Sequence, residues 1–170
     1  MMILKTILVS LLFTGTVYAD DVQNGIKAVK MNDYKTASKF FEKACSNGKM
    51  PGCYILGTMY DEGNGVKQDS LKASKLYKKA CDGGIASGCH NLGLLYYHGA
   101  GIKQDNLIAA KFFQKACDGG DASGCFNLGV MYGNGIGVKQ NNKRAAEYFS
   151  KACDMKHEEG CANYAKLMHR

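Results

Sequence analysis

Apolar residues recur through this chain at helical spacing, in short stripes separated by glycine-rich breaks. Between positions 69 and 104, Ala73, Leu76, Tyr77, Ala80 and Cys81 fall at i, i+3, i+4, i+7 and i+8, one face of a helix. Asp69 stands before that stripe as an N-cap, because its side-chain oxygen can take up a free backbone N–H of the first turn. Asp82-Gly83-Gly84 breaks the stripe. A second one follows in Cys89, Leu92, Gly93 and Tyr96 and stops at Gly99-Ala100-Gly101, where glycine supplies the turn geometry of a helix C-terminus. The same plan superimposes without a gap on residues 33–68, 69–104, 105–140 and 141–170, a period of 36. Residues 20–32 are shorter and predict one extra helix capping the front. Fixed-period self-similarity of this length marks an all-α solenoid of αα hairpins, about nine antiparallel helices, in which each unit buries its apolar face only against its neighbours.

Three sets of positions recur inside the period. Gly57, Gly93 and Gly129 share one mid-helix place, with Ala165 there in the last unit. Glycine costs about 1 kcal/mol relative to alanine in such a position, so its recurrence predicts a close approach that a side chain would block. Lys43, Lys79, Lys115 and Lys151 each stand two residues before a cysteine in a last helical turn, where a cation complements the helix dipole. The third set is the cysteines. All eight form four C-x7-C pairs. Eight cysteines allow 105 pairings, but each pair brackets a tight turn, one member leaving the first helix and the other entering the second. Positions that face each other across such a hairpin lie within disulfide reach, which predicts Cys45–Cys53, Cys81–Cys89, Cys117–Cys125 and Cys153–Cys161. Zinc ligands are usually spaced two to four apart, so x7 does not read as a metal site, and no cofactor is expected.

The cysteine content implies an oxidising compartment, and the N-terminus agrees. Lys5 gives a short positive region, Thr6 to Val17 an apolar stretch too short for a typical membrane span, and Val17-Tyr18-Ala19 a small-x-small cleavage site before Asp20. Residues 1–19 therefore read as a signal peptide cut after Ala19, leaving a secreted or periplasmic chain with no membrane span. Removing Lys5 lowers the formal net charge from +7 to +6. The lysines are scattered rather than clustered, so no nucleic-acid footprint is seen.

The string Cys53-Tyr54-Ile55-Leu56-Gly57-Thr58-Met59-Tyr60, with Gly63-Asn64-Gly65-Val66, Lys72-Ala73 and Lys78-Lys79-Ala80, resembles the Sel1-like repeat, a relative of the tetratricopeptide repeat. It recurs at Cys89–Tyr96 and again from Cys125. The added C-x7-C in each period is similar to the Helicobacter cysteine-rich protein family. The resemblance implies a right-handed superhelix of disulfide-stapled hairpins. It also implies an activity, since members of that family are described as penicillin-binding proteins with slow β-lactamase activity, whereas Sel1-like proteins at large are interaction scaffolds.

The residues do not supply a hydrolase of known type. A serine β-lactamase needs S-x-x-K on a helix together with S-D-N and K-T-G. After the signal segment S-x-x-K occurs as Ser46-Asn47-Gly48-Lys49, in an inter-helix turn that Gly48 breaks, and S-D-N and K-T-G do not occur. His90, His98, His157 and His169 form no H-x-H-x-D cluster, and no G-x-S-x-G or Ser-His-Asp pattern is legible. A binding surface is more visible. Asn91, Asn127 and Asn163 hold one position, two residues after the second cysteine of their units, with Ile55 in the first. In tetratricopeptide-like repeats that place lies on the concave face, where an amide can donate to and accept from a peptide backbone. Beside it Tyr54, His90 and Phe126 vary while the framework does not. The expected partner is a peptide, a peptidoglycan fragment or a β-lactam, or else a host or envelope protein.

Overall fold

The computed structural model describes residues 21–169, so the predicted signal peptide lies outside the described residues. Among them are nine helices and no strand. The first, α1, runs through residues 21–30. The others are α2 (Tyr34–Ser46), α3 (Met50–Glu62), α4 (Ser70–Asp82), α5 (Ala86–His98), α6 (Asn106–Asp118), α7 (Ala122–Asn134), α8 (Asn142–Asp154) and α9 (Glu158–Met168). No helix among the described residues is long and apolar enough to cross a membrane. The chain forms two compact units that divide within α4, one up to Ala73 and one from Ser74.

Helix starts follow the side chains that can satisfy free N–H groups. Asp33, Asp69, Asp105 and Asn141 accept from Thr36, Lys72, Ile108 and Arg144 N–H at 2.9–3.0 Å. Helix ends follow glycine. Gly63, Gly99 and Gly135 close α3, α5 and α7 in the left-handed region, each N–H bonding the carbonyl four residues back.

In the first unit α2 and α3 form a hairpin closed by Cys45–Cys53, whose Cα atoms lie 4.5 Å apart. The backbones approach so closely that a Cβ on Gly52 would stand 2.7 Å from that of Ala44. Phe41 is fully buried and its ring lies over Gly25 of α1. Lys43, in the last turn of α2, reaches back to Asp21 at 3.0 Å.

In the second unit the hairpins are closed by Cys81–Cys89, Cys117–Cys125 and Cys153–Cys161, with Cα separations of 4.5–4.6 Å. All four pairings are those the periodicity predicts. The core between α6 and α7 is built from Ala109, Ala110, Phe113, Leu128 and Met131. A Cβ at Gly93 would meet the Phe113 ring at 2.7 Å, and one at Gly129 the Phe149 ring at 2.8 Å. The recurring mid-helix glycines there meet the close approach that the sequence predicts: each seats an aromatic ring, and at Gly129 the Ala145 carbonyl would also stand 3.3 Å from a Cβ. A close approach of the two helices of each hairpin lies one residue before the second cysteine of each pair. There a Cβ on Gly88, Gly124 or Gly160 would come within 2.6–3.0 Å of the Cβ of Ala80, Ala116 or Ala152.

Removing one staple by the double change Cys117→Ser, Cys125→Ser should cost about 2–3 kcal/mol in the chain-entropy estimate for a ring of about nine residues, read as a lower midpoint in urea. Lys156 adopts φ +68°, where the three earlier hairpin turns carry Gly48, Gly84 and Gly120 at positive φ. Lys156→Gly should therefore stabilise the chain by up to about 1 kcal/mol, and an unchanged or lower melting temperature would contradict it.

Candidate functional site

In the second unit α5, α7 and α9 alternate with α6 and α8. Helical spacing lines up Asn127, Val130 and Asn134 on α7 at i, i+3 and i+7. Between α5 and α7 lies a cavity of about 210 Å³ lined by Leu94, Tyr97, His98, Asn127 and Val130, with Phe113 of α6 completing it. Between α7 and α9 lies a second of about 370 Å³, lined by Val130, Gly133, Asn134, Asn163 and Lys166, with Phe149 of α8 completing it. Two of the predicted asparagines therefore stand on cavity walls, one repeat apart. Asn91 is half-buried at the corresponding place on α5, and Tyr54 is half-buried on α3 in the first unit.

His90 and Phe126 do not line either cavity; they turn against the next hairpin of their own chain. Phe126 packs on the Cys117–Cys125 cluster, stacks on His157 with centroids 4.7 Å apart and tilts against Phe149 at 5.7 Å. His90 lies 5.8 Å from the Phe113 ring and receives Asn127 Nδ2 on its Nε2 at 3.0 Å. With Nε2 accepting, the ring proton sits on Nδ1, facing Asp121 Oδ1 at 3.9 Å. Asp121 is already engaged. It caps α7 by accepting from Gly124 N–H at 2.8 Å, and it accepts from Ser87 Oγ at 3.2 Å.

Serine, histidine and aspartate thus do converge, from Ser87, His90 and Asp121, which no sequence pattern showed. Their wiring is not that of a nucleophile and its base. The serine donates to the aspartate, and the imidazole nitrogen that would take its proton is occupied by Asn127. Ser46 donates its hydroxyl to Lys43 O at 2.8 Å, while Gly48 at φ +77° and Lys49 before α3 lie beyond the end of its helix. Serine and lysine are therefore not one turn apart on one helix. Among the described residues no three of His, Cys, Asp and Glu gather as a metal site.

The cavity residues other than the asparagines escaped sequence reasoning. Their signal was present, since Leu94, Val130 and Lys166 follow an asparagine position by three and His98 and Asn134 by seven. Asp121 and Ser87 gave none, because the residue before each second helix changes as Lys49, Ile85, Asp121 and His157.

A family model, the Sel1 repeat, matches residues 18–49, 51–85, 86–121 and 122–157. The chain belongs to the Sel1 repeat family. Among solved structures, this Sel1 repeat protein superimposes on a Sel1 repeat protein of Oxalobacter formigenes with TM-score 0.80 and 27% identity, covering 84% of this chain and 59% of that one. Against Helicobacter pylori cysteine rich protein B the TM-score is 0.62 and the identity 35%, covering 76% of this chain and 93% of that one. Among curated relatives, Helicobacter pylori beta-lactamase HcpA is 45% identical over 51 residues, 30% of this chain. The match spans 20% of the length of HcpA. The fold is the α-solenoid of this family, and its four disulfides point to an oxidising, extracellular or periplasmic setting.

Burial holds the His90 imidazole below its ordinary value of 6.5; the Asp121 carboxylate pulls it back up and His157 pushes it down. The unfolded chain then binds the extra proton first. The stability contributed by a neutral His90 is present above about pH 6.5 and lost as the pH falls through the depressed value. His90→Phe, the residue the next repeat carries, should lose less stability between pH 7 and pH 5 than the parent. Equal losses in urea titrations at the two pH values would refute this.

Proposed function

We propose that this Sel1 repeat protein is an exported, non-hydrolytic binding module that holds an extended peptide, or the peptide stem of a peptidoglycan fragment, against α7 and α9. The observation carrying this reading is the placement of Asn127 and Asn163 on the walls of successive cavities. A primary amide donates and accepts at once, which is what a peptide unit requires. The buried rings of Phe113 and Phe149 form the apolar backing of the two cavities. A β-lactam is then a guest that mimics such a peptide, bound without attack by a serine. The peptide arrives as a wall fragment or as an exposed segment of an envelope or host protein, and no cofactor is required.

A second reading, weak β-lactam hydrolysis, is favoured by the name of HcpA and by the gathering of Ser87, His90 and Asp121. The two separate in one experiment on the oxidised protein. Chromogenic cephalosporin turnover should stay at the blank rate for the parent, Ser46→Ala and Ser87→Ala alike, with no added mass on the intact chain. Binding of muropeptide stem peptides should weaken about tenfold in Asn163→Ala. An acyl adduct on one serine would reverse the assignment.

A further inference from the structure

The two cavities are one site copied a single period along the chain, and the copies differ in chemistry. Tyr97 corresponds to Gly133, His98 to Asn134, Asn127 to Asn163 and Val130 to Lys166, while Phe113 corresponds to Phe149. The cavity between α5 and α7 is narrowed by Tyr97 and walled by Leu94 and Val130, so it takes a compact apolar side chain. The cavity between α7 and α9 loses the tyrosine and widens from about 210 to about 370 Å³. Its wall gains Lys166, with Asn134, Asn142, Asn163 and Gln140 around it, and no Asp or Glu lines it. A cation facing amide groups without a carboxylate among the lining residues fits a ligand that brings the carboxylate itself.

Resting on the proposed peptide-binding role, we propose that this face reads two side chains of one extended peptide: an apolar residue between α5 and α7, and a carboxylate between α7 and α9. The spacing follows from the fold. Helices one period apart, such as α7 and α9, stand no closer than the roughly 8–10 Å of packed neighbours, and three residues of extended chain span about 10 Å. The apolar residue and the carboxylate are therefore at least three positions apart, and three is the spacing tested. The carboxylate belongs either to an acidic side chain or to a chain terminus.

Gly133 offers a substitution that respects the fold. A Cβ there would meet Ala145 Cβ at 3.7 Å, an ordinary contact, and its φ is not in the left-handed region. Gly133→Tyr therefore rebuilds in the second cavity the side chain that Tyr97 places in the first.

The test is fluorescence anisotropy of labelled hexapeptides in a Gly/Pro background on the oxidised full chain. The peptides carry leucine and, three positions on, glutamate, glutamine, or a terminus that is either free or amidated. The glutamate or the free-terminus peptide should bind about tenfold tighter than its neutral partner, and whichever does so names the source of the carboxylate. Lys166→Gln should erase that difference while leaving the neutral peptides and the melting temperature unchanged. Gly133→Tyr should weaken the acidic peptide about tenfold. Equal binding of acidic and neutral peptides would overturn the two-chemistry assignment and leave peptide binding standing. Binding by none of the four would overturn both. Self-association of the parent that Gly133→Tyr abolishes would overturn it in favour of a second copy of the chain as occupant.

Discussion

Every hairpin here depends on one contact, the meeting of an alanine methyl with a glycine that has no side chain to offer. Ala44 meets Gly52, Ala80 meets Gly88, Ala116 meets Gly124 and Ala152 meets Gly160, with the cysteines of each pair immediately next to them. A side chain at any of these glycines would push the helices apart and carry the cysteine Cα atoms beyond their separation of about 4.5 Å. The close approach and the covalent bond therefore hold each other in place. The reach across each turn is fixed, and so is the rotation of the second helix about its axis. That rotation decides which residues of α5, α7 and α9 look into the cavities and which, like His90 and Phe126, look at the next hairpin.

With the framework held this tightly, the faces are left free to vary. Position 97 is tyrosine and its partner 133 is glycine, yet the helices carrying them end alike, with Gln104 and Gln140 each donating to the carbonyl of that residue at 2.8 Å. The loops thus grip backbone, which does not change, while the cavities are lined by side chains, which do. A polar cluster such as Ser87, His90, Asp121 and Asn127 is tolerated in the same way. Its members satisfy one another, so a half-buried imidazole costs little while it stays neutral.

The parts of this arrangement visible in the sequence were those repeated at one spacing. The stripes beginning at Ala73 and Cys89, the four capping residues Asp33, Asp69, Asp105 and Asn141, and the eight cysteines each recur, and recurrence reveals a constraint even when its physical cause is not yet visible. The asparagine ladder was legible for the same reason. The chemistry of the cavities was not, because it resides in differences between periods: Tyr97 against Gly133, Val130 against Lys166. A difference at one position looks like tolerance until the walls around it are known. The meeting of Ser87 with Asp121 was hidden for another reason, since it joins residues 34 apart that share no position in the period. The glycines at 93 and 129 are legible as packing sites, but the ring that fills each space belongs to a residue 20 positions on, beyond any helical spacing.

The identity of the joints has a consequence for how such a chain changes over generations. Wherever the cut falls within the second unit, removing or inserting one whole period rejoins an alanine to its glycine and a cysteine to its partner. The cavities then behave as interchangeable parts on a common thread, and unequal recombination can reorder which side chains line them without making a new fold. Inheritance by cassette, more than by point substitution, is the kind of variation this geometry permits at least risk.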